Sequence, residues 1–85
     1  MNIQLRFFAS LREAIGTSQE LLAVPAQVRT VGELRQHLRE RGGKWAEALA
    51  EGRALRMAFN QQMAAPETPL ADGAEVAFFP PVTGG

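Results

Sequence analysis

The sequence predicts an α+β fold of two layers, one mixed β-sheet wrapped over a single long helix. Three observations point to it. Ile3, Leu5 and Phe7 alternate with Asn2, Gln4 and Arg6, which is the period of a strand with one buried face. Val31, Leu34 and Leu38 recur at helical spacing behind a capping box made of Thr30 and Glu33. Residues 75–79 follow an Asp72-Gly73 turn signal and read as a strand that stops at two prolines. A chain this short cannot sandwich its helix between two sheets, so one sheet must cover one helix.

Each element has its own justification, in chain order. After the first strand, Ser10 to Glu13 has the pattern of a capping box opening a short helix that closes at Gly16. Residues 19–24 form a second apolar-rich strand, stopped by Pro25. The long helix starts behind Thr30, keeps Arg35, Arg39 and Glu40 on its wet side, and ends at Gly42-Gly43. Residues 44–51 make a further short helical stretch with Trp45 and Leu49 four apart, closed by Gly52. Residues 55–60 form a third strand with Met57 and Phe59 on one face, Gln61-Gln62 a turn, and Met63-Ala64 a short fourth strand. Pro66 and Pro69 bracket a loop before the last strand. The right-handed crossover rule favours first and last strands side by side and parallel at the centre of the sheet.

Composition narrows the function. Eighty-five residues with 46% hydrophobic content make one globular domain, expected over residues 1–79, with an extended tail over residues 80–85. Nine basic and nine acidic residues give zero net charge, which argues against nucleic acid as a partner. No apolar run approaches the ~20 residues of a membrane span, and the start of the chain alternates instead of resembling a signal peptide. The expected location is the cytoplasm, with no membrane partner. Cysteine is absent, so no disulfide, thiolate metal site or thiol nucleophile is available. With His37 as the only histidine, a zinc site is not expected either. Gly42-Gly43-Lys44 follows a helix and lacks the spacing of a phosphate loop. Glu13, Glu33, Glu40, Glu47 and Glu51 fit caps and helix surfaces, not a catalytic pair.

What remains is the chain end, Phe78-Phe79-Pro80-Pro81-Val82-Thr83-Gly84-Gly85. Pro80 and Pro81 have fixed φ and no N–H, so the tail leaves the sheet along an extended path. The four residues beyond reach about 13 Å. Gly84 and Gly85 have no side chains and can pass a narrow tunnel in a partner. The chain is thus shaped to present its own carboxylate as a substrate. Side chains alternate along a strand, so if Val76 and Phe78 face the helix, Phe79 faces out. An outward Phe beside the tail suggests a docking patch; the alternative is a Phe79 covered by the tail or by Phe8.

Residues 70–85, from Leu70-Ala71-Asp72-Gly73 to Val82-Thr83-Gly84-Gly85, closely resemble the C-terminal signature of the small subunits of molybdopterin synthase. These are ubiquitin-like sulfur carriers with a β-grasp fold. The likeness extends over Leu5-Arg6-Phe7-Phe8-Ala9-Ser10-Leu11-Arg12-Glu13, over residues 31–38, around Trp45 and through Phe59-Asn60-Gln61; residues 61–68 fit least well. The resemblance implies a β-grasp domain with a flexible Gly-Gly tail. It implies that Gly85 becomes an acyl-adenylate and then a thiocarboxylate, that Gly84 is the slim neighbour, and that Pro80, Pro81, Val82 and Thr83 thread the partner. Phe79 with Phe7 or Phe8, and Arg12, would contact partners. No cofactor is expected on this chain itself. ATP and Mg²⁺ would be used by an adenylyltransferase of the ubiquitin-activating type, and sulfur would come from a donor such as a cysteine desulfurase or rhodanese. The large subunit would then use that sulfur to convert cyclic pyranopterin monophosphate into molybdopterin. Alternatives are a sulfur carrier for thiamin thiazole synthesis or a ubiquitin-like protein modifier.

Overall fold

Residues 1–81 are described by the structure, a computed structural model. Val82, Thr83, Gly84 and Gly85, which carry the expected threading and sulfur-bearing roles, lie outside the described residues. The elements are β1 (Asn2–Phe7), α1 (Ala9–Ile15), β2 (Gln19–Ala23), α2 (Val31–Arg39), α3 (Gly43–Ala48), β3 (Arg56–Phe59), β4 (Gln62–Met63) and β5 (Glu75–Phe79). The strands form one sheet in the order β2-β1-β5-β3-β4. β1 and β5 are parallel and adjacent, as the crossover argument predicts, and the other pairs are antiparallel.

The sheet's inner face and the helices close over one core. Ile3, Leu5 and Phe7 of β1 and Val76 and Phe78 of β5 meet Val31, Leu34 and Leu38 of α2. The Phe7 ring stacks on Phe78 at 5.9 Å and receives the edge of Trp45 at 5.5 Å. Such aromatic pairs add about 0.5–1.5 kcal/mol to the area they bury.

α2 forms because its start is fully satisfied. Glu33 N–H donates to Thr30 Oγ1 at 3.1 Å. The reciprocal bond of the capping box shifts by one residue, with Glu33 Oε1 accepting from Arg29 N–H at 2.7 Å. Two more first-turn donors, Val31 N–H and Gly32 N–H, reach the carbonyls of Thr68 and Pro66. The Val31, Gly32 and Glu33 N–H groups have no partner within the helix itself. The bonds of Val31 and Gly32 also fasten the long loop before β5. Gly32 is required by that closeness, since a Cβ there would sit 3.0 Å from Pro66 Cβ.

The start of β5 is gripped from both sides. Asp72 Oδ1 accepts from Asn2 N–H, and Gly73 N–H donates to Asn2 C=O, both at 2.7 Å. Gly73 turns with φ +82°, a conformation open to glycine at no steric cost. On the far side Glu75 N–H donates to Asn60 Oδ1 and Asn60 N–H to Glu75 C=O, each at 2.9 Å.

Three expectations need correction. Ser10 does not cap α1. The helix already starts at Ala9, its N-cap is Phe8, and no side chain caps it. Gly42-Gly43 does not end α2, which closes at Glu40; Gly42 is instead the N-cap of α3. The hairpin turn is Asn60-Gln61, not Gln61-Gln62, because both of those residues adopt positive φ (48° and 69°) as a two-residue turn demands. Asn tolerates that region, and β4 accordingly starts at Gln62.

Arg41 ties the outer strand to the helices. It donates two hydrogen bonds to the Glu20 carboxylate, at 2.9 and 2.6 Å, and lies 4.4 Å from the centre of the Trp45 ring. The Arg41 bonds hold the Glu20 carboxyl below its ordinary range, outweighing the partial burial that would raise it. A depressed carboxyl contributes stability above its unfolded pKa and loses it as pH falls through the folded value. Glu20→Gln should therefore lower Tm at about pH 7 and have little effect at about pH 3, as read by thermal unfolding at the two pH values.

In the helix, Thr30→Ala removes the cap and should cost about 1 kcal/mol. Leu34→Ala opens a fully buried site and should cost about 2–5 kcal/mol. Urea unfolding of the two variants checks the order.

Candidate docking face and root of the tail

The site is built on the face of the sheet turned away from the helices. In β5, Phe78 is fully buried, so its neighbour Phe79 points the other way. Phe79 pairs with Arg56 of β3 on one side. On the other, Phe8 N–H donates to Phe78 C=O at 3.2 Å, which extends the β1–β5 ladder by one residue and sets Phe8 beside Phe79. Phe8 is held there by an abrupt exit from β1. The next residue, Ala9, has φ +53°, a left-handed conformation costing a residue with a Cβ about 1–2 kcal/mol.

Register continues the surface outward. Ala77 pairs with Ala58, and Ala58 with Met63. The outward face thus runs from Phe8 and Phe79 over two small alanines to Met63, which is 64% exposed. Phe8 is 41% exposed and Phe79 half-buried. On β2, Leu21 pairs with outward-facing Gln4 and is 69% exposed. Three of the four large exposed apolar side chains among the described residues therefore share one face. Such clustering marks an interaction surface more than scattered exposure does.

The placement of each expected site residue can now be stated. Phe79 and Phe8 come together on the open face, beside the half-buried Pro80 and Pro81 where the tail begins. Phe7 does not join them. It is 1% exposed and packs against Phe78 and Trp45, so it is a core residue and unavailable to a partner in the fold. The reason is the alternation that buries Ile3 and Leu5 with it. Arg12 is exposed on α1, and its N–H donates to Phe8 C=O at 3.4 Å. Met63 was not among the residues that sequence pointed to. Its signal was the two-residue Asn60-Gln61 turn, which places Met63 opposite Ala58 on the outward face.

No cluster of three His, Cys, Asp or Glu side chains with metal-binding geometry occurs among the described residues. No helix among them is long and apolar enough to cross a membrane. What this surface can do is bind, next to Pro80 and Pro81 at the end of β5.

The chain is similar to known proteins over nearly its whole length. The family model described as the ThiS family matches residues 5–85. The molybdopterin synthase sulfur carrier subunit of Escherichia coli is 48% identical over 83 residues, covering 98% of this chain and 99% of that protein. The subunit of the same name from Haemophilus influenzae is 41% identical with the same coverage. Among solved structures, subunit 1 and 2 of molybdopterin-converting factor from Helicobacter pylori form a protein–protein complex, in which the matching chain is 28% identical (TM-score 0.66, all of both chains covered). The H. volcanii small archaeal modifier protein 1 is 26% identical, with a TM-score of 0.74 over 95% of this chain and 98% of that one. The five-stranded mixed sheet with its covering helices is the β-grasp fold of these relatives. On the extent of these matches, the chain belongs to the ThiS family and, within it, to the molybdopterin synthase sulfur carrier subunits.

Proposed function

We propose that this protein is the sulfur carrier subunit of a molybdopterin synthase and that it carries sulfur as a thiocarboxylate on Gly85. The observation that carries the reading is 48% identity over 98% of the chain to a subunit of that name, joined to a chain end reading Pro80-Pro81-Val82-Thr83-Gly84-Gly85. The physical chemistry supports it. A free α-carboxyl has a pKa of about 3.5 and is ionised at neutral pH, which makes it a poor electrophile. Activation has to come from outside.

The sequence of steps balances. Within an adenylyltransferase of the ubiquitin-activating type, the Gly85 carboxylate attacks the α-phosphate of Mg²⁺-bound ATP. Pyrophosphate leaves and an acyl-adenylate remains. A sulfur donor such as a cysteine desulfurase or rhodanese then attacks the acyl carbon and displaces AMP. The attacking atom is the outer sulfur of the donor's persulfide, so an acyl disulfide forms; a thiol then attacks the donor's sulfur, takes it up in a disulfide, and leaves the thiocarboxylate on Gly85. Inside the large subunit its sulfur passes to cyclic pyranopterin monophosphate, and water returns Gly85 to a carboxylate. A dithiolene has two sulfurs, so two loaded carriers are consumed per product. Sulfur held this way needs no thiol, in keeping with a chain that has no cysteine.

The roles of the chain's own residues follow. Phe8, Phe79 and Met63 bind the large subunit, Pro80 to Thr83 lead the end inward, and Gly84 and Gly85 pass where a side chain would jam. The subunit complex of the H. pylori relative supports a large-subunit partner. A second reading, conjugation of Gly85 to lysines of other proteins, is favoured by the likeness to the H. volcanii modifier. It predicts isopeptide adducts in lysate.

Deletion of Gly85, or Gly84→Val, should abolish sulfur loading or delivery while leaving Tm unchanged. Mass spectrometry after incubation with adenylyltransferase, ATP and a sulfur donor reads the replacement of one oxygen by sulfur. Sulfur arriving on the chain that lacks Gly85 would sink the assignment. Met63→Asp should weaken binding to the large subunit by about tenfold or more with almost no change in Tm, since the side chain is already exposed. Phe79→Asp should weaken binding further and lower Tm modestly, because Phe79 is half-buried. Calorimetric titration and thermal unfolding measure both.

A further inference from the structure

Arg6 lies on the same open face as Phe8 and Phe79, and its hydrogen-bonding capacity is not met. The guanidinium sits 5.6 Å from the centre of the Phe8 ring. Its Nε is buried and has no hydrogen-bond partner among the described residues. The carboxylate of Glu75 is 3.8 Å from Nη1, too far for a hydrogen bond. Beside Arg6 a cavity of about 370 Å³ opens on the β1–β2 part of the sheet, lined by Gln4, Leu5, Arg6, Gln19, Glu20 and Leu21. Glu20 contributes no free carboxylate to it, because both its oxygens accept hydrogen bonds from Arg41.

This arrangement has a consequence when the face is covered. A partner seated on Phe8 necessarily removes water from the cation stacked on it. A desolvated guanidinium without a hydrogen-bonded counter-charge is strongly unfavourable. Glu75, at its present distance, supplies charge but no hydrogen bonds. The missing acceptors have to come from the partner. The Arg6 side chain is 41% exposed although its Nε is buried, and a carboxylate suits the site because it can accept from the two Nη groups together in the fork geometry of arginine. The amides of Gln4 and Gln19 are at hand as further donors.

We propose that the Arg6 cavity receives an Asp or Glu side chain of the large subunit, as a second anchor beside the Phe8–Phe79–Met63 patch. The inference rests on the docking reading above and adds to it a charged contact that selects the partner. Like-charged or neutral residues at that position of a wrong partner would leave the arginine buried and unpaired, which is how such contacts discriminate.

The test is affinity of the full-length chain for the purified large subunit of the same organism, at several salt concentrations. Arg6→Gln should weaken binding by about tenfold or more and flatten its salt dependence, with Tm unchanged. Arg6→Lys should recover only part of the loss, since an ammonium cannot make the forked contact. Arg6→Glu should be weaker still, and one acidic residue of the large subunit, changed to Arg, should restore it. Arg6→Gln with wild-type affinity and salt slope, while Phe79→Asp fails to bind, would overturn the proposal and leave the docking reading standing. A loss on Arg6→Gln that couples to no acidic residue of the large subunit would overturn the carboxylate. No binding by the unmodified chain would overturn both readings.

Discussion

The parallel pairing of β1 with β5 is the constraint on which the rest of the molecule depends. It joins the fourth residue of the chain to the seventy-fifth through a short ladder, with Gln4 opposite Glu75 and Phe7 opposite Phe78. Parallel neighbours need a long crossover, and here the crossover carries all three helices, β2 and the β3–β4 hairpin. Closing so long a loop opposes folding, and that cost is offset where Phe7 and Phe78 stack beneath Trp45. The clamps at Asn2–Asp72–Gly73 and Asn60–Glu75 fix the register from both flanks. A slip of one residue would move Phe78 to the open face and Phe79 into the core.

The division of labour between the two faces follows from that register. Inward residues of β1 and β5 hold the helices, and outward residues of the same strands form the face proposed to meet the partner. Because β5 is the middle strand, Pro80 and Pro81 follow it at the centre of the sheet, next to exposed Phe8 and half-buried Phe79. A partner seated on this face, as proposed, would meet the chain beside Pro80 and Pro81. An open apolar face is a liability for a free protein. It is limited here by the polar outward residues Gln4, Arg6 and Glu75, which break the patch on its β1 side. The same arginine is the group the proposed partner would have to answer.

Much of this was legible in the residues. The strand period of Ile3, Leu5 and Phe7, the Thr30–Glu33 cap and the final strand each rest on local rules, and tertiary structure did not override them. Ser10 misled because its capping pattern competes with the pull of the β1–β5 ladder. Phe8 is drawn into a hydrogen bond with Phe78, and the helix begins right after it. The Asn60-Gln61 turn was displaced by one residue because Gln61 adopts a positive φ that its side chain does not favour, and the hairpin imposes it. The same hairpin hides Met63 from a reading by residue type, since exposure there is set by register. Phe7 and Phe8 are chemically identical neighbours, and only alternation separates core from surface. Arg6 looked like the polar side of a strand. Its significance lies in Phe8, Glu75 and the cavity beside it, none of which a sequence position displays alone.

The sheet face opposite the helices is proposed as the seat of the partner and the place where the tail is handed over. Amide chemical-shift mapping of isotope-labelled protein, titrated with unlabelled large subunit, tests it most directly. Perturbations should gather on residues 6–8, 56–58, 62–63 and 77–81, with the solvent side of α2 at Glu33, Gln36 and Glu40 unmoved. Perturbations centred on α2, with residues 77–81 silent, would contradict it.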